Sequence, residues 1–327
     1  MNEFGRIFRI NIFGESHGEL VGVLIDGVPA GIEIHESEFA EDLTRRKGNG
    51  FGSTPRKESD LPLIKSGVFN GKSTGAPILI EFLNQNCESK DYEKFRDLPR
   101  PSHSDFVAFK KYNGFNDYRG GGHFSGRLTL GLVAAGVIAK KIISPISISA
   151  NILDIGGAID IESAIKSAVA SGDSLGGIVE CTANNIPIGL GEPYFDSLES
   201  LISHIIFSIP GVKGIEFGSG FRAAKMKGSE YNDAILDADG TTATNHDGGV
   251  NGGISNGNEL IFRVAIKPTP SIAKTQNTLN LSSGKVEELN IQGRHDTAIA
   301  LRTPVIIEAA TAIALADFSM ISNYYQR

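Results

Sequence analysis

The chain has 327 residues, of which 40% are hydrophobic and 21% charged, and its formal net charge is −7. This composition is ordinary for a globular protein, and the acidic balance argues against general nucleic-acid binding. The longest apolar run, residues 128–143, contains glycines and two lysines, whereas a membrane span needs roughly 20 apolar residues. The first residues lack the apolar core of a signal peptide, and the cysteines Cys87 and Cys181 match no metal or redox spacing. We therefore expect a cytoplasmic protein with reduced thiols and no association with membranes.

Strands and helices alternate along the whole chain. In chain order, the pattern predicts strands at 8–13 and 21–26, a helix at 37–46, strands at 61–69 and 77–83, a helix at 125–143, a strand at 146–153, a helix at 162–171, a strand at 177–183, a helix at 198–208, strands at 212–217 and 260–266, and a helix at 304–317. The helices at 125–143 and 304–317 are apolar on nearly all sides, so both should lie inside the protein. No linker or low-complexity segment divides the chain. The sequence therefore predicts one α+β domain over residues 1–327, with buried central helices covered by sheets in a layered sandwich.

Glycine is the most distinctive residue, with 39 copies in short clusters between the predicted elements. The stretch RGGGHFSGR, residues 119–127, has three glycines in succession and an arginine at each end. Glycine permits tight turns and a close approach of the backbone to a ligand. The plain alternative for any one cluster is a chain that is merely rich in loops.

Histidines and basic residues recur in these turns. Five of the seven histidines lie beside glycine, serine or arginine: His17, His103, His123, His246 and His295. Basic residues do the same: Arg45, Arg46, Arg56, Lys57, Arg100, Arg119, Arg127, Lys267 and Arg294. Arginine binds carboxylate or phosphate with two parallel hydrogen bonds, and histidine suits general acid catalysis near neutral pH. On an acidic protein, such turns predict a pocket for a small polyanion, in which Gly120–Gly122 clear space and Arg119 and Arg127 supply charge.

One dinucleotide-binding pattern is rejected. GSGFRA at 218–223 follows a predicted strand, but the chain meets Gly228 within a few residues, which leaves no room for a crossover helix. The sequence contains no P-loop, HExxH or GxSxG motif and gives no support for a zinc or calcium site.

Long motifs in a fixed order resemble those of the chorismate synthase family. They include FGESHG at 13–18, DLTRRKG at 42–48, SGVFNGKSTGAPI at 66–78, RPSHSD at 100–105, DYRGGG at 117–122, GVKGIEFGSGF at 211–221, GGVNGGISNG at 248–257, KPTPSI at 267–272 and GRHD at 293–296. The resemblance implies a helical core between antiparallel sheets and assembly as a homotetramer. It implies the last common step of the shikimate pathway, in which 5-enolpyruvylshikimate 3-phosphate loses phosphate in an anti-1,4-elimination to give chorismate. The cofactor implied is reduced FMN.

The resemblance also implies roles for individual residues. His17, beside Ser16, matches the histidine that protonates the departing phosphate, and His103 matches the one near the flavin N1–C2=O edge. Asp296 and Ser125 match a proton relay from flavin N5. The substrate-binding set is Arg46, Arg100 and Arg127, and the cofactor-binding set is Arg294, Asn245, Lys267, Ser271 and Gly126.

The chain departs from the commoner family pattern RGGGRSSARET at His123, Phe124, Gly126 and Leu128, which puts the local flavin contacts in question. A flavin-binding protein without lyase activity and a non-enzymatic anion- or RNA-binding module remain as alternatives. The source of reducing equivalents is also open. Because no nicotinamide motif survives, an external flavin reductase is favoured over intrinsic use of NADPH.

Overall fold

The computed structural model describes residues 2–48, 52, 58–85, 89–291 and 295–325. The strands are β1 (Glu3–Phe4), β2 (Arg9–Gly14), β3 (Leu20–Asp26), β4 (Leu63–Ile64), β5 (Val68–Phe69), β6 (Lys72–Ser73), β7 (Ile78–Leu83), β8 (Ser147–Ile155), β9 (Gly177–Asn184), β10 (Val212–Phe217), β11 (Val250–Asn251), β12 (Ile254–Ser255), β13 (Leu260–Ile266), β14 (Gln276–Leu279) and β15 (Val286–Leu289). The α-helices are α1 (Ala40–Lys47), α2 (Asp105–Lys111), α3 (Thr129–Ile142), α4 (Ile161–Ser171), α5 (Leu198–Ile206), α6 (Gly228–Tyr231) and α7 (Thr303–Tyr325).

Two antiparallel sheets form the outer layers. The first has the strand order β1-β2-β3-β7-β4 and the second β10-β13-β9-β8. Along β9 and β13 buried and part-exposed residues alternate, since successive side chains of a strand point to opposite faces. Strand β7 of the first sheet shows the same alternation, so each sheet presents one apolar face to the interior.

Helices α3 and α7 fill the space between the sheets. Helix α3 packs on β3 and on α7, and α7 packs on β8 and β9. Every residue of α3 from Thr129 to Ala139 is buried, as expected for a helix that is apolar on all sides. At the helix–helix contact, a Cβ added to Gly136 would lie 2.4 Å from the Cβ of Ala309. The predicted layered α+β sandwich with buried central helices is confirmed.

The segment Ile299–Asn323, which contains most of α7, is long and apolar enough by length and composition to cross a membrane. Within its most apolar window, 78% of the helix is buried inside the fold. That burial is typical of the core helix of a globular protein.

Two buried carboxylates on α7 connect it to the rest of the fold. Asp317 accepts hydrogen bonds from the backbone N–H groups of Arg6, Ile7 and Phe8, at 2.9, 2.7 and 3.0 Å, immediately before β2. Glu308 accepts two bonds of 2.7 Å from the guanidinium of Arg45, on α1. Residues 6–8, which lead into β2 and then into the turn after it, are thereby fixed to α7.

Four sequence predictions differ from the structure. The strand at 61–69 is wrong, because β4 and β5 belong to different sheets and the chain turns between them at Gly67, whose φ is +77°. The helix predicted at 125–143 begins as a 3₁₀ turn, Gly126–Leu128, before α3. Helix α7 extends past 317 to Tyr325. Helix α2 and the β14–β15 hairpin were not predicted, since all three elements are short and the hairpin strands are largely polar.

Candidate active site

A cavity of about 1680 Å³ gathers most of the residues singled out from the sequence. The expected site residues that line it are Ser16, His17, Arg46, His103, Ser125, Gly126, Arg127, Lys267, Ser271 and Asp296. Arg100 and Asn245 are not lining residues, and Arg294 lies outside the described residues. Segments that are far apart in sequence therefore converge on one cavity.

The three successive glycines bring the backbone against two imidazole rings. Gly120 has a φ of +58°, and a Cβ there would lie 2.3 Å from Cδ2 of His17. Gly121 has a φ of +83°, and a Cβ there would lie 3.5 Å from Cε1 of His103. A Cβ on Gly122 would lie 2.0 Å from the carbonyl oxygen of Asp117. Only glycine fits the first and third positions, because the backbone there combines positive φ with atoms closer than any Cβ tolerates.

His17 is buried beneath this loop. Its ring lies edge-on to the ring of Tyr92, with 4.9 Å between centroids. The preceding residue, Ser16, donates its backbone N–H to the carbonyl of Gly122 at 3.1 Å. The turn after β2 and the glycine loop thus hold each other, and the His17 imidazole faces the cavity from a fixed backbone.

Two buried arginines share one carboxylate in the cavity wall. Arg127 Nη1 lies 2.9 Å from Asp60 Oδ1, and Arg46 Nη1 lies 3.6 Å from Asp60 Oδ2. Arg46 Nε also donates to the hydroxyl of Thr129 at 3.0 Å. Burial lowers the pKa of Arg46 to about 10, against the opposing attraction of Asp60. Two guanidinium groups against one carboxylate leave a net positive charge, which suits an anionic ligand.

His103 belongs to a second buried charged group. Its Nδ1 lies 2.6 Å from Asp105 Oδ1, and Asp105 in turn accepts two side-chain hydrogen bonds from Arg100, at 2.8 and 2.9 Å. Arg100 Nη1 donates to Ser271 Oγ at 3.1 Å. Arg100 therefore lies behind His103 and Ser271 in the wall of the cavity.

Lysines occupy another part of the lining. Lys267 Nζ donates to the carbonyl of Ser102 at 2.6 Å, and Lys213 also lines the cavity. Burial and the charge of Lys213 lower the pKa of Lys267. Because the two ammonium groups repel each other, this part of the cavity favours binding of an anion.

Asp296 lies beside an arginine that was not predicted from the sequence. Arg302 Nη2 is 3.0 Å from Asp296 Oδ1, and both residues line the cavity. Ser125 caps the 3₁₀ turn ahead of α3, since its Oγ accepts the backbone N–H of Arg127 at 3.3 Å. The Ser125 hydroxyl is therefore held at the same wall as Arg127.

His123 also lines the cavity, whereas Arg119 and Asn245 do not. His123 Nδ1 lies 2.8 Å from the carbonyl of Gly14, so this departure from the family pattern connects the glycine loop to the end of β2. The Arg119 guanidinium is held by Asp117, with Nη2–Oδ2 at 2.8 Å, and Arg119 is not a lining residue. Asn245 Nδ2 donates to the carbonyl of Glu259 at 2.8 Å, away from the lining.

Sequence reasoning missed the carboxylates that position the cations. Asp60 and Asp105 are 4% and 9% exposed, and Asp60 lies in a stretch with no special pattern. A buried acid is recognised only from its partners, because burial of an unpaired carboxylate is too costly. The motif RPSHSD does contain Asp105, so the spacing of two residues from His103 was the one available signal.

The layered fold and this cavity, which is lined by guanidinium groups, imidazoles and a carboxylate, belong to an enzyme that acts on a small molecule. A family model described as chorismate synthase matches residues 8–320. The chain belongs to the chorismate synthase family, and it is therefore a carbon–oxygen lyase of aromatic amino-acid biosynthesis by the shikimate pathway.

Relatives and a solved structure match over the full length. The chain is 63% identical over 328 residues to the chorismate synthase of Chitinophaga pinensis, which covers 100% of this chain and 99% of the relative. It is 46% identical over 358 residues to that of Dehalococcoides mccartyi, covering 100% of this chain and 98% of the relative. A crystal structure of chorismate synthase matches with a TM-score of 0.75 at 26% identity, covering 98% of this chain and 93% of that one.

Proposed function

We propose that this chain converts 5-enolpyruvylshikimate 3-phosphate to chorismate and phosphate by an anti-1,4-elimination that depends on reduced FMN. The observation that carries the proposal is the convergence of His17, His103, Arg46, Arg127 and Asp296 on one cavity. A substrate with two carboxylates and a phosphate needs several cations, and its departing phosphate needs an acid.

The residues present fit a flavin phosphate. Lys213 and Lys267 both line the cavity and supply positive charge. A Cβ added at Gly126 would meet nothing within 4 Å, so the backbone there is open to a ligand. When bound, reduced FMN would supply electron density that assists carbon–oxygen cleavage and would recover it afterwards, with no net redox change.

The roles of the chain's own residues are those that the family resemblance implies, and their convergence on one cavity supports them. Arg46 and Arg127 bind the anionic groups of the substrate. His17 donates a proton to the departing phosphate oxygen. Asp296 and Ser125 would relay the proton from flavin N5, and Arg302 would keep the Asp296 carboxylate oriented.

His103, Lys267, Ser271 and Gly126 form the flavin side of the cavity, with Lys267 on the phosphate. Asn245 does not line the cavity of its own chain, so the described residues lend no support to its assignment to flavin binding.

Anaerobic turnover tests the function directly. Chemically reduced FMN and 5-enolpyruvylshikimate 3-phosphate should give chorismate and inorganic phosphate in equal amounts, and oxidised FMN should give neither. Binding of FMN without any chorismate would favour the flavin-binding alternative that lacks lyase activity. A second reaction with NADPH as the sole reductant should give no product until a flavin reductase is added.

We also propose that the protein is a cytoplasmic homotetramer. Support comes from large apolar side chains that the single chain leaves exposed, among them Phe115, Ile159 and Phe195 at 92, 87 and 91%. Exposed apolar surface of this kind marks interaction sites. Sedimentation equilibrium should give four times the chain mass of 34.8 kDa.

A further inference from the structure

The carboxylate of Asp105 is surrounded by four hydrogen-bond donors. Its Oδ2 accepts the backbone N–H of Arg100 at 3.1 Å and Nε of Arg100 at 2.8 Å. Its Oδ1 accepts Nη2 of Arg100 at 2.9 Å and lies 2.6 Å from Nδ1 of His103. Every lone-pair site of a carboxylate is thus occupied at a residue that is 9% exposed.

This arrangement determines where the proton of His103 resides. Two donors also approach Nδ1 of His103, namely Nη2 of Arg100 at 3.1 Å and the backbone N–H of Asp105 at 3.3 Å, but Nη2 lies closer to Asp105 Oδ1, at 2.9 Å. The shortest contact of Nδ1 is the one of 2.6 Å to the carboxylate oxygen, and that contact needs a proton between the two atoms because two facing lone pairs repel. Burial alone would raise the pKa of Asp105, but the hydrogen bonds from Arg100 and His103 hold it well below its usual range. Since the carboxylate stays ionised, the proton belongs to Nδ1 of His103.

The surroundings of His103 favour its neutral ring. Burial lowers the pKa of His103, opposed by the hydrogen bond to Asp105 and assisted by the charge of Arg100. Among the described residues, the other titratable groups that act on the ring are Lys267, from the segment after β13, and His295, from the segment before α7. A neutral ring with its proton on Nδ1 carries a lone pair on Nε2.

The contacts that the Arg100 guanidinium makes in this structure are all with other groups of the protein. Its guanidinium carbon lies 4.5 Å from the centroid of the Phe95 ring, and its remaining nitrogen, Nη1, donates to Ser271. It is 6% exposed and is not a lining residue. Its position suits a residue that holds Asp105 better than one that holds a substrate.

We infer that Asp105, fixed by Arg100, is a positioning residue that keeps the proton of His103 on Nδ1 and makes Nε2 the nitrogen that exchanges protons with a ligand in the cavity. A proton taken up at Nε2 comes from solvent or ligand and gives an imidazolium that Asp105 stabilises through Nδ1. The site of the proton is a property of the ligand-free protein. Its importance for turnover rests on the proposed function.

The substitution Asp105→Asn should move the proton. An amide nitrogen in the place of Oδ2 would face two donors of Arg100, whereas in the place of Oδ1 it would face only one. The amide N–H₂ should therefore turn toward His103 and donate to Nδ1, which forces the ring proton onto Nε2. The wrong tautomer should lower kcat by about 10²-fold or more, as the loss of an orienting aspartate does in serine proteases, with KM for the substrate little changed.

Solid-state NMR of the whole protein labelled with nitrogen-15 histidine tests the inference without ligand. His103→Gln identifies the His103 signals by difference. At about pH 8 the wild type should show the proton on Nδ1 of His103, and Asp105→Asn should show it on Nε2. Asp117→Asn is the matched control, since Asp117 holds Arg119 in the same way but does not contact His103; it should leave the His103 tautomer unchanged.

A wild-type proton on Nε2, or an Asp105→Asn protein that keeps it on Nδ1, would overturn the inference, and the wild-type spectrum requires no variant to fold. The chorismate assay on the wild type is separate. If no chorismate forms while the tautomer responds to Asp105→Asn, the proposed function fails and the positioning role stands.

Discussion

The Cα of Gly120 lies so close to the His17 imidazole that an added Cβ would be 2.3 Å from Cδ2 and 2.6 Å from Nε2. The ring of Tyr92 lies 4.9 Å from that of His17, centroid to centroid. The proposed acid is therefore positioned by packing against backbone and an aromatic ring. The orientation of the His17 ring therefore depends on Gly120 having no side chain.

Gly120→Ala should reduce turnover at least about 10-fold, because the new methyl group must displace His17 or the glycine loop. The positive φ of +58° adds a backbone cost of roughly 1–2 kcal/mol. Gly157→Ala is the matched control: its φ is +77°, but nothing lies within 4 Å of its added Cβ. Steady-state kinetics and urea unfolding should show loss of stability in both proteins, larger in Gly120→Ala because of the added contact with His17, and loss of turnover only in Gly120→Ala. Equal turnover in the two would contradict the packing argument.

His17→Ala should slow turnover by about 10²-fold or more, since the departing phosphate loses its proton donor. FMN affinity should be nearly unchanged. His35→Ala serves as the control, because His35 is exposed and does not line the cavity. Unchanged turnover in His17→Ala would rule out the acid role.

Asp60→Asn should lower the free energy of unfolding by about 3–5 kcal/mol, because it leaves two buried guanidinium groups without their shared carboxylate. Inorganic phosphate should restore part of that loss by binding to Arg46 and Arg127. Urea unfolding with and without phosphate measures both effects. Glu162→Gln, which removes an exposed ion pair with Lys166, should change neither, and a phosphate effect of equal size there would argue against specific binding.

Stability should fall as the pH drops through about 6.5. The pKa values of His103 and His295 are both lowered from 6.5, chiefly by burial, so the unfolded chain binds protons that the folded chain does not. The stabilisation is complete above the unfolded-state pKa and is lost as the pH falls toward the folded-state pKa. Urea unfolding between about pH 8 and pH 5.5 should show a steeper fall for the wild type than for His103→Gln or His295→Gln. Parallel curves would contradict the histidine assignment.

Lys267→Met should weaken FMN binding by about 10-fold or more, the loss of one charge-assisted hydrogen bond to phosphate. Riboflavin, which has no phosphate, should bind the variant and the wild type equally. Titration of both flavins by fluorescence separates the phosphate contact from ring binding. Lys274→Met, at an exposed pair with Asp173, should change neither affinity. An equal loss for riboflavin would assign Lys267 to another part of the flavin.

Strands and helices with a clear hydrophobic periodicity or a continuous apolar run were predictable from the sequence. Strands β10 and β13 have the predicted bounds, and the two apolar helices lie at the centre because no polar face lets them reach solvent. The strand at 61–69 failed because the pattern cannot show that Gly67 divides it between two sheets. Local periodicity carries no information about which strand a segment pairs with.

The cavity-lining histidines and arginines of the candidate site were predictable from the sequence, but the side chains that position them were not. The ligand-facing histidines and arginines occur in glycine-rich turns, and those turns converge. Asp60 was missed because only the fold brings it near Arg46 and Arg127. Asp105 and Arg302 lie within six residues of their partners, but the sequence pattern does not show that these side chains pair. For Arg100, the family motif predicted a contact with the substrate. In the structure its guanidinium contacts Asp105, Ser271 and Phe95.

Neither Gly136 nor Ala309 lines the cavity, yet their contact helps to set the distance between its walls. His17 is attached to the first sheet and Lys267 to the second, and α3 and α7 are the spacers between those sheets. There is no room for one methyl group where α3 contacts α7. A larger side chain at this contact would push the two sheets apart and widen the cavity that a ligand must span. Mutations deep in the interior should thus show up as altered ligand affinity.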